Sequence, residues 1–192
     1  SILGATGSIG MSTADLVRRN PEKFDVSVLT ANRNVQDLAA LARELRPSLA
    51  IVADETAYAD LKQALADTDI EVAAGADALV DAAQEPVDLT VSGIVGAAGL
   101  EATLAAIRQG AIVALANKEC LVCAGDLVLE ECARSGTTLL PLDSEHNAIF
   151  QVFETENAKD VEKLILTASG GPFRTWSRDQ MAAATPEQAI AH

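Results

Sequence analysis

Short apolar runs alternate with amphipathic stretches along most of the 192-residue chain. The runs at 2–3, 24–30, 49–53, 70–73, 87–92, 112–116, 137–142 and 161–168 read as strands. Between them, 8–19, 35–46, 56–66, 76–84, 97–109, 118–135 and 144–153 read as helices. In 35–46, Val35, Leu38, Leu41, Ala42 and Leu45 share one stripe and Gln36, Asp37, Arg43 and Glu44 lie opposite, as in a surface helix packed on a sheet. Ile112-Val113-Ala114-Leu115 is apolar on both faces, which suits a parallel sheet covered by helices on each side. The expectation for residues 1–142 is an α/β domain with a doubly wound, mostly parallel sheet.

Beyond Leu142 the rhythm changes to a polar cluster, one strand, a Gly-Gly-Pro turn at 170–172 and two short helices. Thr185-Pro186-Glu187-Gln188 opens the last of these with an N-cap, proline at the first helical position and a glutamine placed for a capping box. Residues 143–192 are read as the incomplete start of a second, α+β domain. The first strand is short and the final helix reaches His192 without a cap, so the expectation is a piece of a larger protein.

Hydrophobic residues make up 49% of the chain and charged residues 22%, a balance that provides a buried core and argues against disorder. The formal charge of −14 disfavours nucleic acid or an anionic membrane as partner, since no basic patch offsets it. No apolar stretch approaches the ~20 residues that span a bilayer and no secretion signal is visible, so the expected location is cytoplasmic. Cys120, Cys123 and Cys132 are odd in number and lack a second pair for zinc. They read as small buried thiols, with a Cys120/Cys123 redox pair as the alternative.

Gly4-Ala-Thr-Gly-Ser-Ile-Gly10 follows the first apolar run and opens a helix, the arrangement of a dinucleotide-binding strand-turn-helix. Glycine suits this turn because some positions need positive φ and because backbone amides must approach a pyrophosphate without an intervening Cβ. The helix N-terminus then faces the anion. Glycine turns also join strand to helix for geometric reasons alone. After the second strand stands Thr30-Ala31-Asn32-Arg33-Asn34, with no carboxylate until Asp37. An arginine flanked by amides suits a 2′-phosphate, which favours NADP over NAD. Asn34 equally suits a helix N-cap and Arg33 a solvated loop.

Asn117-Lys118-Glu119 ends the strand at 112–116, the side of an open α/β sheet where ligands sit, although lysine and glutamate also cap helices. Asp143-Ser144-Glu145-His146-Asn147 follows the strand at 137–142. In extended backbone Asp143 and Glu145 would point to one side, two hard oxygen donors suited to Mg²⁺ or Mn²⁺. Asp143 or Ser144 would otherwise cap the next helix, and two carboxylates leave a metal site incomplete. His146 is read as structural or supporting. Thr167-Ala168-Ser169-Gly170-Gly171-Pro172 suits a phosphate-wrapping loop or an ordinary turn.

In this order, Gly4–Gly10, Ala31-Asn-Arg-Asn34, Ala116-Asn-Lys-Glu119, Pro141-Leu-Asp-Ser-Glu-His-Asn-Ala-Ile-Phe-Gln151 and Thr167-Ala-Ser-Gly-Gly-Pro-Phe173 resemble the 1-deoxy-D-xylulose 5-phosphate reductoisomerase family over the whole chain. The resemblance implies a Rossmann-like NADPH-binding domain followed by the start of a catalytic domain. It implies conversion of 1-deoxy-D-xylulose 5-phosphate to 2-C-methyl-D-erythritol 4-phosphate in non-mevalonate isoprenoid synthesis, with NADPH and Mn²⁺ or Mg²⁺, Co²⁺ being a further possibility. By the same resemblance Thr6, Gly7, Ser8 and Ile9 hold the pyrophosphate, Asn32, Arg33 and Asn34 the adenosine phosphate, and Asn117 and Glu119 line the cofactor site. Lys118, Ser144, Ser169 and His192 would contact the sugar phosphate, and Asp143 and Glu145 the metal. A homodimer is implied for the full-length protein.

Two departures from the family pattern stand out. Cys120 replaces the serine usual after Asn-Lys-Glu, and the chain stops before the family's Pro-Asn-Trp-Ser-Met-Gly loop, third metal carboxylate, remaining phosphate grip and carboxyl-terminal helical domain. The expectation is therefore weak NADPH binding and little or no turnover by these 192 residues alone. Homoserine dehydrogenase shares a dinucleotide fold and an Ala-Asn-Lys segment but leaves Asp143-Ser144-Glu145 and Ser169-Gly170-Gly171 unexplained. A non-catalytic nucleotide sensor, with carboxylates that only cap helices, is the other alternative.

Overall fold

The computed structural model describes residues 1–168 and 170–191. Contacts divide the chain into two compact units, Ser1–Asp143 and Ser144–His192.

In the first unit, seven strands lie in one parallel sheet: β1 (Ile2–Leu3), β2 (Val28–Ala31), β3 (Leu49–Val52), β4 (Glu71–Ala74), β5 (Leu89–Ser92), β6 (Ile112–Leu115) and β7 (Thr138–Pro141). Their order is β4-β3-β2-β1-β5-β6-β7. The chain winds outward from β1 to β4, then returns to the other side of β1, so the switch point falls between β1 and β5. Six helices connect the strands: α1 (Ser8–Arg19), α2 (Val35–Leu45), α3 (Tyr58–Ala64), α4 (Ala76–Ala83), α5 (Leu100–Ile107) and α6 (Glu119–Ser135).

Strand periodicity distributes the helices over the two faces. Ile2, Leu29, Ala50, Val52, Val91 and Ala114 pack with Ala14 and Val17 of α1, Leu38 and Leu41 of α2 and Leu61 of α3. Leu3, Val113 and Leu115 pack with Ile107 of α5 and Val128 of α6, while Val28 and Ile51 pack with Leu79 of α4. Both faces are thereby buried, which is why these strands read as continuous apolar runs. Among the described residues no helix is long and apolar enough to cross a membrane.

The second unit contains α7 (Ser144–Val152), a 3-10 turn at Thr155–Asp160, and the short helices α8 (Arg178–Ala182) and α9 (Pro186–Ala189). Thr185 caps α9 as the sequence predicts: its hydroxyl accepts from the Gln188 amide at 3.4 Å and its amide donates to Gln188 Oε1 at 2.9 Å. The strand expected at 161–168 is not formed; these residues belong to no ladder, and Leu164, Ile165 and Leu166 are exposed. An apolar run becomes a strand only beside an edge that takes up its amides and carbonyls, and the described residues of this unit offer none.

Candidate functional site

The turn after β1 is built by exclusion of side-chain volume. Gly4 has φ 84°, and a Cβ there would lie 2.9 Å from the Gly93 carbonyl. A Cβ on Gly10 would fall on the Gly4 carbonyl oxygen and 2.5 Å from the Ala5 backbone, so only glycine lets α1 sit this close to the turn. Gly7 occupies the N-cap of α1 without a side-chain cap, and the first turn carries no acidic residue. Gly7 and Ser8 are exposed and Thr6 and Ile9 half-buried, so the amides at the positive end of a 12-residue helix border solvent. Such a cradle fits a pyrophosphate.

Thr30, at the end of β2, fastens this turn. The Gly4 amide donates to Thr30 Oγ1 at 2.9 Å and the Ala5 amide to the Thr30 carbonyl at 2.7 Å. Asn32, Arg33 and Asn34 follow, all exposed. Asn34 caps α2, its Oδ1 accepting from the Asp37 amide at 3.2 Å and its Nδ2 donating to Asp37 Oδ2 at 2.6 Å. Arg33 acts electrostatically on Asp54 beyond β3. The Asp54 carboxyl is held below the usual range chiefly by the Thr56 hydroxyl, then by the Thr56 amide and Arg33. A cation bordered by amides and reachable from the turn keeps the chemistry expected for a 2′-phosphate.

The end of β6 differs from the sequence picture in one respect. Asn117 is buried, and its amide group is engaged with the protein: Nδ2 donates to the carbonyls of Ile94 at 2.5 Å and Gly96 at 2.8 Å, and Oδ1 accepts from the Cys120 amide at 3.3 Å. Its side chain holds the loop after β5 in place. Lys118 and Glu119, at the start of α6, are exposed.

Asp143 follows β7 and is half-buried, whereas Ser144, Glu145 and His146 belong to the first turn of α7. The helix begins at Ser144, so the alternation of extended backbone expected to align Asp143 with Glu145 does not operate there. Both are hard oxygen donors of the kind Mg²⁺ and Mn²⁺ accept. Among the described residues no group of three or more His, Cys, Asp or Glu side chains is assembled for a metal ion. Ser169 and His192, expected to contact substrate, lie outside the described residues.

All three cysteines are free thiols. Cys120 and Cys132 are buried and Cys123 is exposed, so the reading of three buried thiols holds for two. Burial pushes the Cys120 thiol up, away from reactivity.

Two groups escaped the sequence reading. The glycines of the β5–α5 loop, Gly93, Gly96 and Gly99, face the first glycine turn and Asn117; their spacing of three after a strand was the visible signal. Thr103, in the apolar run of α5, forms a buried hydroxyl pair with Ser92 at 2.7 Å, for which nothing in the sequence gives a cue.

Comparison with known proteins is consistent across the chain. Residues 1–125 match the model of 1-deoxy-D-xylulose 5-phosphate reductoisomerase, and residues 139–192 that of its C-terminal domain. The Rhodospirillum centenum reductoisomerase is 62% identical over 192 residues, which are 100% of this chain and 48% of that protein. The Zymomonas mobilis protein is 57% identical, with 100% and 50% covered. The solved structure of the Zymomonas mobilis enzyme in complex with NADPH superposes with a TM-score of 0.92, covering 100% of this chain and 50% of that one. A reductoisomerase structure with NADPH, fosmidomycin and magnesium is 43% identical with a TM-score of 0.87, covering 100% and 50%. The chain thus spans about half the length of the curated relatives it matches. These matches do not favour the homoserine dehydrogenase or sensor alternatives. The chain belongs to the 1-deoxy-D-xylulose 5-phosphate reductoisomerase family.

Proposed function

We propose that residues 1–142 are the NADPH-binding domain, and residues 143–192 the start of the metal- and substrate-binding domain, of an enzyme that converts 1-deoxy-D-xylulose 5-phosphate to 2-C-methyl-D-erythritol 4-phosphate. The observation that carries this is the Gly4–Gly10 turn, where a Cβ on Gly10 would strike the Gly4 and Ala5 backbone so that only glycine lets α1 begin against it, in a chain 57% identical to a protein solved with NADPH. Thr6, Gly7, Ser8 and Ile9 bind the pyrophosphate, and Asn32, Arg33 and Asn34 bind the 2′-phosphate side of the adenosine.

Bound NADPH supplies the hydride that reduces the aldehyde left by the skeletal rearrangement, and a bound divalent metal supplies Lewis-acid stabilisation of the substrate's oxygens. Asp143 and Glu145 would supply two of the metal's oxygen donors. Lys118 adds positive charge where oxyanion character develops, and its ammonium donates to the substrate. Ser144, Ser169 and His192 orient the sugar phosphate, so that binding energy away from the reacting carbons is used for alignment. Glu119 borders the cofactor, with Asn117 supporting the loop beside it. The working protein is read as a cytoplasmic homodimer acting on a small sugar phosphate, with neither nucleic acid nor membrane as partner.

The test has two arms. NADPH titrated into this chain, followed by its fluorescence, binds more tightly than NADH, and Arg33→Ala removes the preference. In the protein extended to the length of its relatives, NADPH oxidation with 1-deoxy-D-xylulose 5-phosphate requires Mn²⁺ or Mg²⁺ and is lost in Asp143→Asn. Absence of nucleotide binding, or turnover indifferent to metal, overturns the reading.

A further inference from the structure

Beneath the β5–α5 loop lies a polar cluster that the nucleotide reading leaves unused. Ser92, Thr103, Asn117 and Cys120 are each 3% exposed or less, and they come from β5, α5, the end of β6 and α6. Thr103 stands at the centre. Its hydroxyl donates to the Gly99 carbonyl at 2.6 Å, which leaves its oxygen to accept from the Ser92 hydroxyl at 2.7 Å and from the Cys120 thiol at 3.7 Å. Donor and acceptor capacity are both in use, so the hydroxyl is fully satisfied where it is buried. Asn117 completes the arrangement by holding the Ile94 and Gly96 carbonyls and the Cys120 amide.

The loop held in this way has little apolar anchorage at its tip. Val95 is 84% exposed, and Gly96, at φ 71°, has open space where a Cβ would be. At its base the loop meets the cofactor turn directly, since a Cβ on Gly4 would lie 2.9 Å from the Gly93 carbonyl. At its far end, Gly99 admits no side chain because a Cβ would lie 2.6 Å from Asn117 Nδ2. The segment from Gly93 to Gly99 is therefore fixed at four places: by the glycine turn, by Ile94 packed against the core, by Asn117 and by Thr103. Two of these are polar contacts from the buried cluster.

The sheet order gives this placement its consequence. Arg33 and its amide neighbours stand beyond β2, on one side of β1, whereas the loop and the Asn117–Glu119 segment stand beyond β5 and β6, on the other. A dinucleotide whose pyrophosphate rests on the turn after β1 straddles the switch point, with its adenosine toward β2 and its nicotinamide half toward β5 and β6. On that reading of the site, we infer that Thr103 is a positioning residue for the nicotinamide half of the cofactor: through Ser92, Gly99 and Cys120 it fixes the Gly93–Gly99 loop and the start of α6 as one preformed wall. It touches no ligand itself. Deleting its hydroxyl would let the loop fluctuate and make the cofactor supply the ordering when it binds.

The test separates the two halves of the ligand. Thr103→Val keeps shape and removes the hydroxyl, and it is expected to weaken NADPH binding about 5- to 10-fold, the loss of about one hydrogen bond. Adenosine 2′,5′-bisphosphate, which reaches only the turn and the Arg33 side, should bind wild type and variant within about twofold. Thr103→Ser, which restores the hydroxyl, should recover NADPH affinity. A general loss of structure would weaken both ligands together, and that outcome overturns the inference, as does unchanged NADPH affinity in Thr103→Val. Should Thr103→Val fail to give a cooperative unfolding transition, Ser92→Ala, which leaves the Thr103–Gly99 bond intact, must still show the selective loss of NADPH for the inference to stand. Wild type that binds adenosine 2′,5′-bisphosphate but not NADPH overturns the inference and leaves the adenosine side of the site standing. Wild type that binds neither ligand overturns the nucleotide site itself.

Discussion

The amide of Gly4 donates to the hydroxyl of Thr30 at 2.9 Å, tying the turn after β1 to the last turn-facing residue of β2. Thr30 is 1% exposed, so water cannot substitute for that hydroxyl. Thr30→Val retains the shape and the strand preference while leaving the Gly4 amide without its acceptor. It should lower stability by about 1–3 kcal/mol, read as a fall in the urea midpoint with unchanged slope. Thr30→Ser should recover most of it. An unchanged midpoint in Thr30→Val would show that the turn relaxes and finds another acceptor.

Gly10 meets the turn by contact rather than by hydrogen bonding. Its φ is ordinary for a helix, so backbone strain plays no part; the constraint is the Gly4 and Ala5 backbone standing where a Cβ would be. Gly10→Ala normally stabilises a helix by roughly 0.5–1 kcal/mol, but here overpacking against backbone costs about 1–3 kcal/mol and wins. The expected result is a net loss in denaturation together with loss of NADPH binding. Gly7, where a Cβ would stand 3.4 Å from the Gly4 carbonyl oxygen, supplies the contrast: Gly7→Ala should cost much less stability.

These contacts mark where the sequence was legible. The glycine spacing reveals the turn, and apolar runs such as Ile112–Leu115 reveal a parallel sheet, because burial on both faces, as at Val113, Ala114 and Leu115, leaves successive residues apolar. Within 161–168 only Leu164-Ile165-Leu166 is such a run, and it forms no strand, since hydrogen-bonding partners along an edge are not encoded in the run itself. Asp143 and Glu145 were aligned on strand alternation that ends where α7 begins. Asn117 was recognised as polar at a strand end, but whether its amide points to a ligand or to the Ile94 carbonyl depends on the neighbouring loop, 23 residues away. Thr103 shows the limit most clearly: Ser92 and Cys120 reach it from 11 and 17 residues away, through packing that a one-dimensional pattern does not contain.

Arg46 closes α2 with φ 51° and ψ 53°, the left-handed conformation that glycine usually supplies at this position. Its amide donates to the Ala42 carbonyl at 2.8 Å, so the backbone is held in that conformation by the helix it terminates. A side chain there costs roughly 1–2 kcal/mol, part of which glycine returns as greater freedom in the unfolded chain. Arg46→Gly should therefore raise stability by about 0.5–1 kcal/mol, measured by urea denaturation. Arg46→Ala, which keeps the Cβ, should bring no comparable gain, and equal gains in both would point to the arginine's charge rather than its conformation.

Glu131 joins α6 to the end of α5 through Arg108, whose Nε lies 3.2 Å from its Oε2, and Arg134 of the same helix forms a second ion pair with that oxygen. The hydrogen bond from Arg134, with that from Arg108 after it, holds the Glu131 carboxyl below the usual glutamate range against the opposing effect of burial. A depressed carboxyl pKa means that the unfolded chain takes up the proton first as the solution is acidified. The contribution of Glu131 is thus fully present above the ordinary glutamate value of about 4.3 and is lost as pH falls through the lower native value. Glu131→Gln should be less stable than wild type at neutral pH, and the difference between their urea midpoints should shrink as pH falls below about 4.3. Glu44, Asp54 and Asp67, also held low, titrate in both proteins and cancel in that difference. A gap that stays constant to low pH would assign the loss in Glu131→Gln to packing between α5 and α6 rather than to charge.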